Sequence, residues 1–144
     1  PATLADPPLV LVFLFGGAAT GYSLTQKSPI NWVYYTPERL SQIEQTDDVV
    51  VLDFTAGWCL NCHALERGVL NREAVVEQLN GEGVTPVKVD ISKYKPAQQF
   101  LTEVGSRTIP LLIVRDGDGN EVFRSEAYNV SDVLNAIEEA RGGS

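Results

Sequence analysis

Runs of apolar residues along the chain predict the strands of a buried sheet. The run from Val49 to Thr55 is almost continuously apolar, which is typical of a strand covered on both faces in a parallel sheet. Two later runs, residues 84–91 and 111–115, predict further strands. The segment Asp116–Asn120 predicts a tight turn into a fourth strand, residues 121–125, so that the last two strands form a hairpin.

Segments with helical signals separate these strands. Thr36 and Pro37 have the N-cap and first-turn pattern of a helix that continues to about Gln45. Further helices are predicted from about Cys59, beyond Asn71, from residue 96 to 104 with a stop at Gly105, and after a cap at Ser131. Elements in this order predict an α/β fold, with a central mixed β-sheet flanked by helices.

The first 28 residues form an apolar N-terminal extension that differs from the rest. The 20 residues from Pro7 to Gln26 carry no charge and include an apolar run from Leu9 to Phe15. A helix of about 20 residues is long enough to cross one hydrocarbon core. A membrane anchor, an ordered soluble element and the remnant of a signal peptide are three alternatives for this segment. We expect residues 29–144 to form one domain.

Composition narrows the classes of function. A chain of 144 residues can bury a core without structural disulfides. The net charge is −8 and the 11 Lys and Arg residues are scattered, which argues against binding to nucleic acid. The chain has no methionine, even at position 1, which indicates a processed chain or a fragment.

The only two cysteines, Cys59 and Cys62, lie where the predicted strand gives way to a helix. Two thiols at this spacing can close a small ring as a disulfide or remain an open dithiol. The unpaired N–H groups and the positive dipole end of a helix favour thiolate, which is the attacking species in thiol–disulfide exchange. A disulfide over three positions closes a very short loop and stabilises the fold little. The spacing therefore favours a redox-active pair.

Two carboxylates are close to this pair in the sequence. Asp53 lies within the apolar strand, where burial should raise its pKa unless it is paired; the alternative is an acid at the strand end that reaches solvent. Glu66 follows Cys62 by four residues and shares its helix face, where it would disfavour thiolate. The alternative for Glu66 is a solvated residue paired with Arg67 or Arg72.

His63 raises a competing hypothesis, because residues 59–63 match the CxxCH pattern of covalent haem attachment. A c-type haem would take His63 and commonly a Met or a second His as axial ligands, and the chain has neither of the latter. We therefore expect His63 to be a neighbour of the thiols whose charge depends on pH. Two Cys and one His also leave a tetrahedral zinc site one ligand short, so no metal site is expected.

The strand, Trp58 and the CxxC motif, together with Ile109-Pro110 before a later strand, resemble the thioredoxin superfamily. The resemblance covers residues 32–142. The segments 32–38 and 53–59 look closest to the C-terminal thioredoxin-like domain of DsbD-type thiol:disulfide interchange proteins. In that family the domain follows a final transmembrane helix, which would account for the apolar extension.

This resemblance implies roles for individual residues. Cys59 would be the nucleophile and the more exposed sulfur, and Cys62 would resolve the mixed disulfide. Asp53 would exchange a proton with Cys62, and Glu66 would tune the reactivity of the thiols. Trp58 would form an apolar wall beside the sulfur. Ile109 and Pro110 would form a cis-proline loop that binds an extended substrate by strand addition.

The resemblance also implies an activity. We expect a monomeric thiol–disulfide oxidoreductase domain that uses no cofactor besides its redox-active disulfide. It would act as a reductant in an extracytoplasmic, periplasm-like relay and form transient mixed disulfides with partner redox proteins. Its electrons would come from a membrane donor. The alternative is a thioredoxin-fold binding module whose thiols form only a regulatory or assembly contact.

Overall fold

The computed structural model describes residues 28–142. The apolar segment predicted at residues 7–26 lies outside this range. Five strands and five α-helices are present in the described part of the chain, with one π-helical turn. In chain order they are β1 (Val33–Tyr34), α1 (Pro37–Glu44), β2 (Val49–Thr55), α2 (Leu60–Leu65), the π turn (Glu66–Leu70), α3 (Glu73–Leu79), β3 (Val84–Asp90), α4 (Lys95–Glu103), β4 (Leu111–Arg115), β5 (Glu121–Ser125) and α5 (Val130–Gly142).

The strands form one mixed sheet in the order β1-β3-β2-β4-β5. β1, β3 and β2 are parallel, whereas β4 is antiparallel to β2 and β5 is antiparallel to β4. β2 is thus the central strand, and the start of β4 lies beside its carboxyl end, with Leu111 opposite Phe54. The thioredoxin-like arrangement of a mixed sheet with flanking helices is confirmed.

Alternate residues of β2 enter two separate cores, one on each face of the sheet. Val49 and Val51 belong to the core formed with α3 and α5. Val50, Leu52 and Phe54 belong to the core formed with α1 and α4. Every residue of β2 is buried, which confirms the prediction of a strand covered on both faces.

Most helix starts and stops follow the local signals. The Thr36 side chain accepts a hydrogen bond from the Arg39 N–H at 3.1 Å, and Pro37 is the first residue of α1. Gly105 follows α4 with a φ of 84°, a left-handed conformation that glycine adopts without strain. The turn before β5 is confirmed, because the Asp116 carboxylate accepts the N–H groups of Asp118 and Asn120.

The predicted cap at Ser131 is wrong. Asn129 caps α5 instead: its side chain accepts the Asp132 N–H at 2.8 Å, and the Asp132 carboxylate accepts the Asn129 N–H at 3.0 Å. This reciprocal capping box satisfies two backbone donors at once, whereas a Ser cap satisfies one. The helix consequently begins at Val130.

Two elements were not predicted. β1 is only two residues long and is positioned by its pairing with Val87 and Lys88. The π turn widens the helix after α2, so that the Asn71 N–H reaches the Glu66 carbonyl at 2.8 Å. Within residues 28–142, no helix combines the length and apolar character needed to cross a bilayer.

The α5 contribution to the core can be tested at Ile137, whose side chain is fully buried. We expect Ile137→Ala to lower the free energy of unfolding by about 2–5 kcal/mol, because it removes apolar contacts and leaves a cavity. Urea denaturation measures this change. The exposed neighbour Glu138 is the control, and Glu138→Ala should change stability by less than about 0.5 kcal/mol. Equal effects of the two substitutions would contradict the packing described for α5.

Candidate functional site

Cys59 and Cys62 form a disulfide at the carboxyl end of β2. Cys59 is the N-cap of α2, and its sulfur accepts the Cys62 N–H at 3.2 Å. This position brings the sulfur to the end of the helix where backbone donors lack intrahelical partners, which favours negative charge. Cys59 is 7% exposed and Cys62 is 4% exposed.

An apolar rim surrounds the disulfide. The two cysteines pack against Ala56, Ile91 and Ile109. Trp58 and Leu60, which flank Cys59 in sequence, are 67% and 83% exposed. Large apolar side chains this exposed, next to a disulfide, form a surface that a partner can cover.

Ile109 and Pro110 come from a different part of the chain and lie beside the disulfide. The peptide bond between them is cis, as the resemblance implied, and it immediately precedes β4. Because β4 begins beside the carboxyl end of β2, the loop lies close to the disulfide, and Ile109 packs against the cluster that contains both cysteines.

Asp53 is 3% exposed, so the alternative of an acid reaching solvent is wrong. Desolvation raises its pKa to about 7, the charge of Lys88 lowers it, and the charge of Glu66 raises it. Asp53 lies two residues after Val51 and therefore faces the same side of the sheet, whose core also includes Leu65 at the end of α2 and Leu70 of the π turn. A buried carboxyl group with a pKa of about 7 therefore lies on the face of the sheet against which the last residue of α2 packs.

Glu66 forms an ion pair with Lys88, with 3.1 Å between the carboxylate oxygen and Nζ. The proposed pairing with Arg67 or Arg72 is therefore wrong, and the Arg72 side chain instead donates to the Gly68 carbonyl. The reason is that Lys88, directly opposite Asp53 in the sheet, points to the same face as Asp53. Its desolvated ammonium needs a counter-charge more than an exposed arginine does.

Sequence reasoning missed Lys88 and Tyr128. The Lys88 ammonium lies 4.9 Å from the centre of the Trp32 ring, a cation–π contact that adds to its ion pair. The buried Tyr128 has a raised pKa, because of burial first and then the negative charges of Asp53 and Glu66. The sequence did carry a signal for Lys88, because a charged residue between Val87 and Val89 is unusual in a buried strand. Tyr128 lies in a loop and gave no periodic signal.

The His63 ring is directed to the backbone next to the disulfide. Its Nε2 lies 3.0 Å from the Gly57 carbonyl oxygen. The ring nitrogen that haem iron would need is thus engaged with the backbone, and this geometry does not fit the haem alternative. Among residues 28–142, no three His, Cys, Asp or Glu side chains are grouped so that they could hold a metal ion.

Comparison with known proteins agrees with this geometry. A family model described as a thioredoxin-like domain matches residues 36–140. The thiol:disulfide interchange protein DsbD of Campylobacter jejuni (strain RM1221) is 28% identical over 103 residues. These residues are 70% of this chain and 18% of the relative, so the chain spans less than a fifth of that protein's length.

Solved structures share the fold. The C-terminal domain of Neisseria meningitidis DsbD in the oxidised form is 23% identical with a TM-score of 0.59, covering 76% of this chain and 99% of that one. A thioredoxin from Thermus thermophilus is 17% identical with a TM-score of 0.62, covering 77% of this chain and 86% of that one. The family model extends over most of the chain, and its limits enclose the disulfide, the cis-proline loop and all but the first strand of the sheet. This chain therefore belongs to the thioredoxin-like family.

Proposed function

We propose that this domain is a thiol–disulfide oxidoreductase that reduces disulfides of partner proteins. The observation that carries the proposal is the Cys59–Cys62 disulfide at the carboxyl end of β2, where Trp58 and Leu60 are exposed on either side of Cys59 in the sequence. A disulfide that only stabilises the fold does not need exposed apolar side chains around it. A disulfide that reacts with a partner protein needs such a surface, because the partner must bind there.

The reaction begins from the reduced dithiol. The Cys59 thiolate attacks one sulfur of the partner disulfide, the partner's second sulfur leaves as a thiolate, and a mixed disulfide forms. Cys62 loses its proton and attacks the Cys59 sulfur, which releases the partner's remaining sulfur. The products are the Cys59–Cys62 disulfide and a partner dithiol, so two electrons have moved to the partner.

Asp53 exchanges the proton of the resolving thiol. A pKa of about 7 suits a group that must both accept and return a proton near neutral pH. Asp53 is almost fully buried, which limits the access of bulk water to this proton. The carboxylate form is needed when Cys62 attacks, and the acid form when the disulfide is reduced again.

Glu66 and Lys88 set the electrostatic background of this step. A negative charge at Glu66 alone would disfavour a thiolate nearby, whereas its ion pair with Lys88 offsets that charge. Lys88 also favours the ionised form of Asp53. The pair consequently moderates both the thiol and the carboxyl without direct contact with the substrate.

Trp58, Ile109 and Pro110 bind the partner. The loop before β4 offers the Ile109 backbone to an extended segment, and main-chain hydrogen bonds would give affinity for many sequences. The exposed Trp58 indole, next to Cys59 in the sequence, would form an apolar wall for the partner beside the reacting sulfur. Recognition of this type suits a domain that exchanges electrons with several redox proteins.

A place in an extracytoplasmic relay is supported by the relatives named DsbD. In this proposal a membrane donor reduces the domain, and the domain, as a monomer, reduces other redox proteins. The apolar residues 7–26 would hold it at the membrane. The direction can be measured by equilibrating the Cys59–Cys62 couple with glutathione, and a couple more oxidising than glutathione would contradict a reductant.

Cysteine variants test the activity itself. We expect the reduced wild-type protein to reduce insulin with dithiothreitol as the electron source, and Cys59→Ser and Cys62→Ser to fall to the background rate, because each removes one sulfur of the exchange. Turnover is followed by insulin precipitation.

The two variants should differ in the intermediate that they accumulate. Cys62→Ser retains the attacking thiol and should trap a mixed disulfide with the partner, detectable by mass spectrometry, whereas Cys59→Ser should not. If the wild type is no faster than the variants, the domain is a binding module with regulatory thiols.

The raised pKa of Asp53 predicts a dependence of stability on pH. An aspartate in an unfolded chain titrates near pH ~3.9, so between about pH 4 and pH 7 the folded state binds more protons than the unfolded state. Stability should therefore fall as the pH rises through this window, by about 4 kcal/mol for this group. Asp53→Asn cannot ionise and should lose this dependence, which urea denaturation of both oxidised proteins measures.

The same variant should slow resolution of the mixed disulfide, by about a hundredfold if Asp53 is the proton acceptor. Asp118→Asn is the matched control, because Asp118 lies exposed in the turn at the opposite end of the sheet.

For the stability measurement, a difference between Asp53→Asn and wild type that stays constant from pH 4 to pH 8 would contradict the raised pKa.

A further inference from the structure

The backbone at Gly57 is held from two sides. Its N–H donates to the Ser92 hydroxyl at 2.7 Å, and its carbonyl oxygen lies 3.0 Å from the His63 Nε2. Ser92 is itself fixed, because its N–H donates to the Asp90 carboxylate at 2.9 Å. We call this arrangement of Gly57, Ser92 and His63 the Gly57 clamp.

The clamp holds the short turn that presents the reactive residues. The Cys59 N–H donates to the Ala56 carbonyl at 3.1 Å, so residues 56–59 form a tight turn between β2 and α2. Trp58 lies inside this turn and is mostly exposed, so its own side chain contributes little packing. The buried Ala56 and Cys59 hold the two ends of the turn, and the backbone partners of Gly57 hold its middle.

The two anchors come from separate elements. Ser92 lies in the loop after β3, whereas His63 lies in α2, where its N–H donates to the Cys59 carbonyl at 3.2 Å. His63 is thus one helical turn beyond Cys59, and side chains four residues apart share a helix face. The His63 ring thus links α2 to the turn at residues 56–59, close to Cys59.

The hydrogen bond to Gly57 requires one proton position on the ring. A carbonyl oxygen only accepts, so the His63 Nε2 must carry the proton. A neutral imidazole has two tautomers, and the one protonated at Nδ1 would place two acceptors against each other at 3.0 Å. The geometry consequently selects the Nε2–H form.

We propose that His63 is a positioning residue for thiol–disulfide exchange, a role that rests on the proposed function. Through Gly57 it fixes the turn so that Cys59 and Trp58 meet the partner disulfide in one orientation. Attack on a disulfide requires alignment of the incoming sulfur with the bond that breaks, and a small displacement of the nucleophile lowers the rate.

The ring proton can be observed directly, because His63 is the only histidine in the chain. Its imidazole signals in a ¹⁵N NMR spectrum of the oxidised 144-residue protein need no assignment by mutation. At alkaline pH, where an imidazole is neutral, we expect the shifts of the Nε2–H tautomer. Shifts of the Nδ1–H tautomer would overturn the clamp, and this measurement needs no enzymatic turnover.

Variants test whether the contact matters for exchange. We expect His63→Ala to lower the rate constant of the reduced protein with insulin by about tenfold, the factor that corresponds to one hydrogen bond of ordinary strength. His63→Gln has a neutral amide donor of similar reach and should stay within about threefold of wild type. Rescue by Gln distinguishes positioning from the charge of the ring.

Arg67→Gln is the control for local charge, since Arg67 is exposed and lies one turn further along the same helical segment. It should react at the wild-type rate. Thermal unfolding of each variant reports loss of fold separately. A wild-type rate for His63→Ala, or a Gln variant as slow as the Ala variant, would overturn the proposal. Failure of the wild type itself to reduce insulin would instead reject the proposed function.

Discussion

The complete burial of β2 is the constraint on which the rest of this structure depends. Its alternate residues enter two cores, and it has a parallel neighbour on one side and an antiparallel neighbour on the other. A strand held in this way has no freedom to slip, because a shift of one residue would exchange the contents of the two cores. Only three residues separate Cys59 from the end of β2, so the position of the disulfide is set by this buried central strand.

The same burial acts on Asp53, the one acidic residue of β2. The carboxyl group of Asp53 is almost fully buried, and desolvation raises its pKa to about 7. Lys88 is opposite in the sheet but forms its ion pair with Glu66. An apolar residue at position 53 would cost less to bury, because it carries no charge that must be desolvated.

The surface above the disulfide follows a different physical rule. Trp58 and Leu60 remain exposed, although burial of either would favour folding. Three short segments meet at the disulfide: the turn at residues 56–59, the start of the loop after β3 at Ile91 and the cis-proline loop. All three lie at one edge, because parallel β2 and β3 end there and antiparallel β4 begins there. The topology thus brings together three segments that are far apart in the sequence.

What the sequence determined by itself was the local chemistry. The apolar run of β2, the caps and turns of most helices, the spacing of the two cysteines and the unfavourable position of Asp53 are all readable over a few residues. The tertiary structure alone decided that Lys88 neutralises Glu66, that Tyr128 lies near both acids, and that Asn129 rather than Ser131 caps α5. It also decided that the His63 ring reaches Gly57. The reason is that these contacts depend on which strands are neighbours and on which face each helix packs. The periodic pattern of apolar residues predicts which residues are buried, but it does not predict which residues they contact.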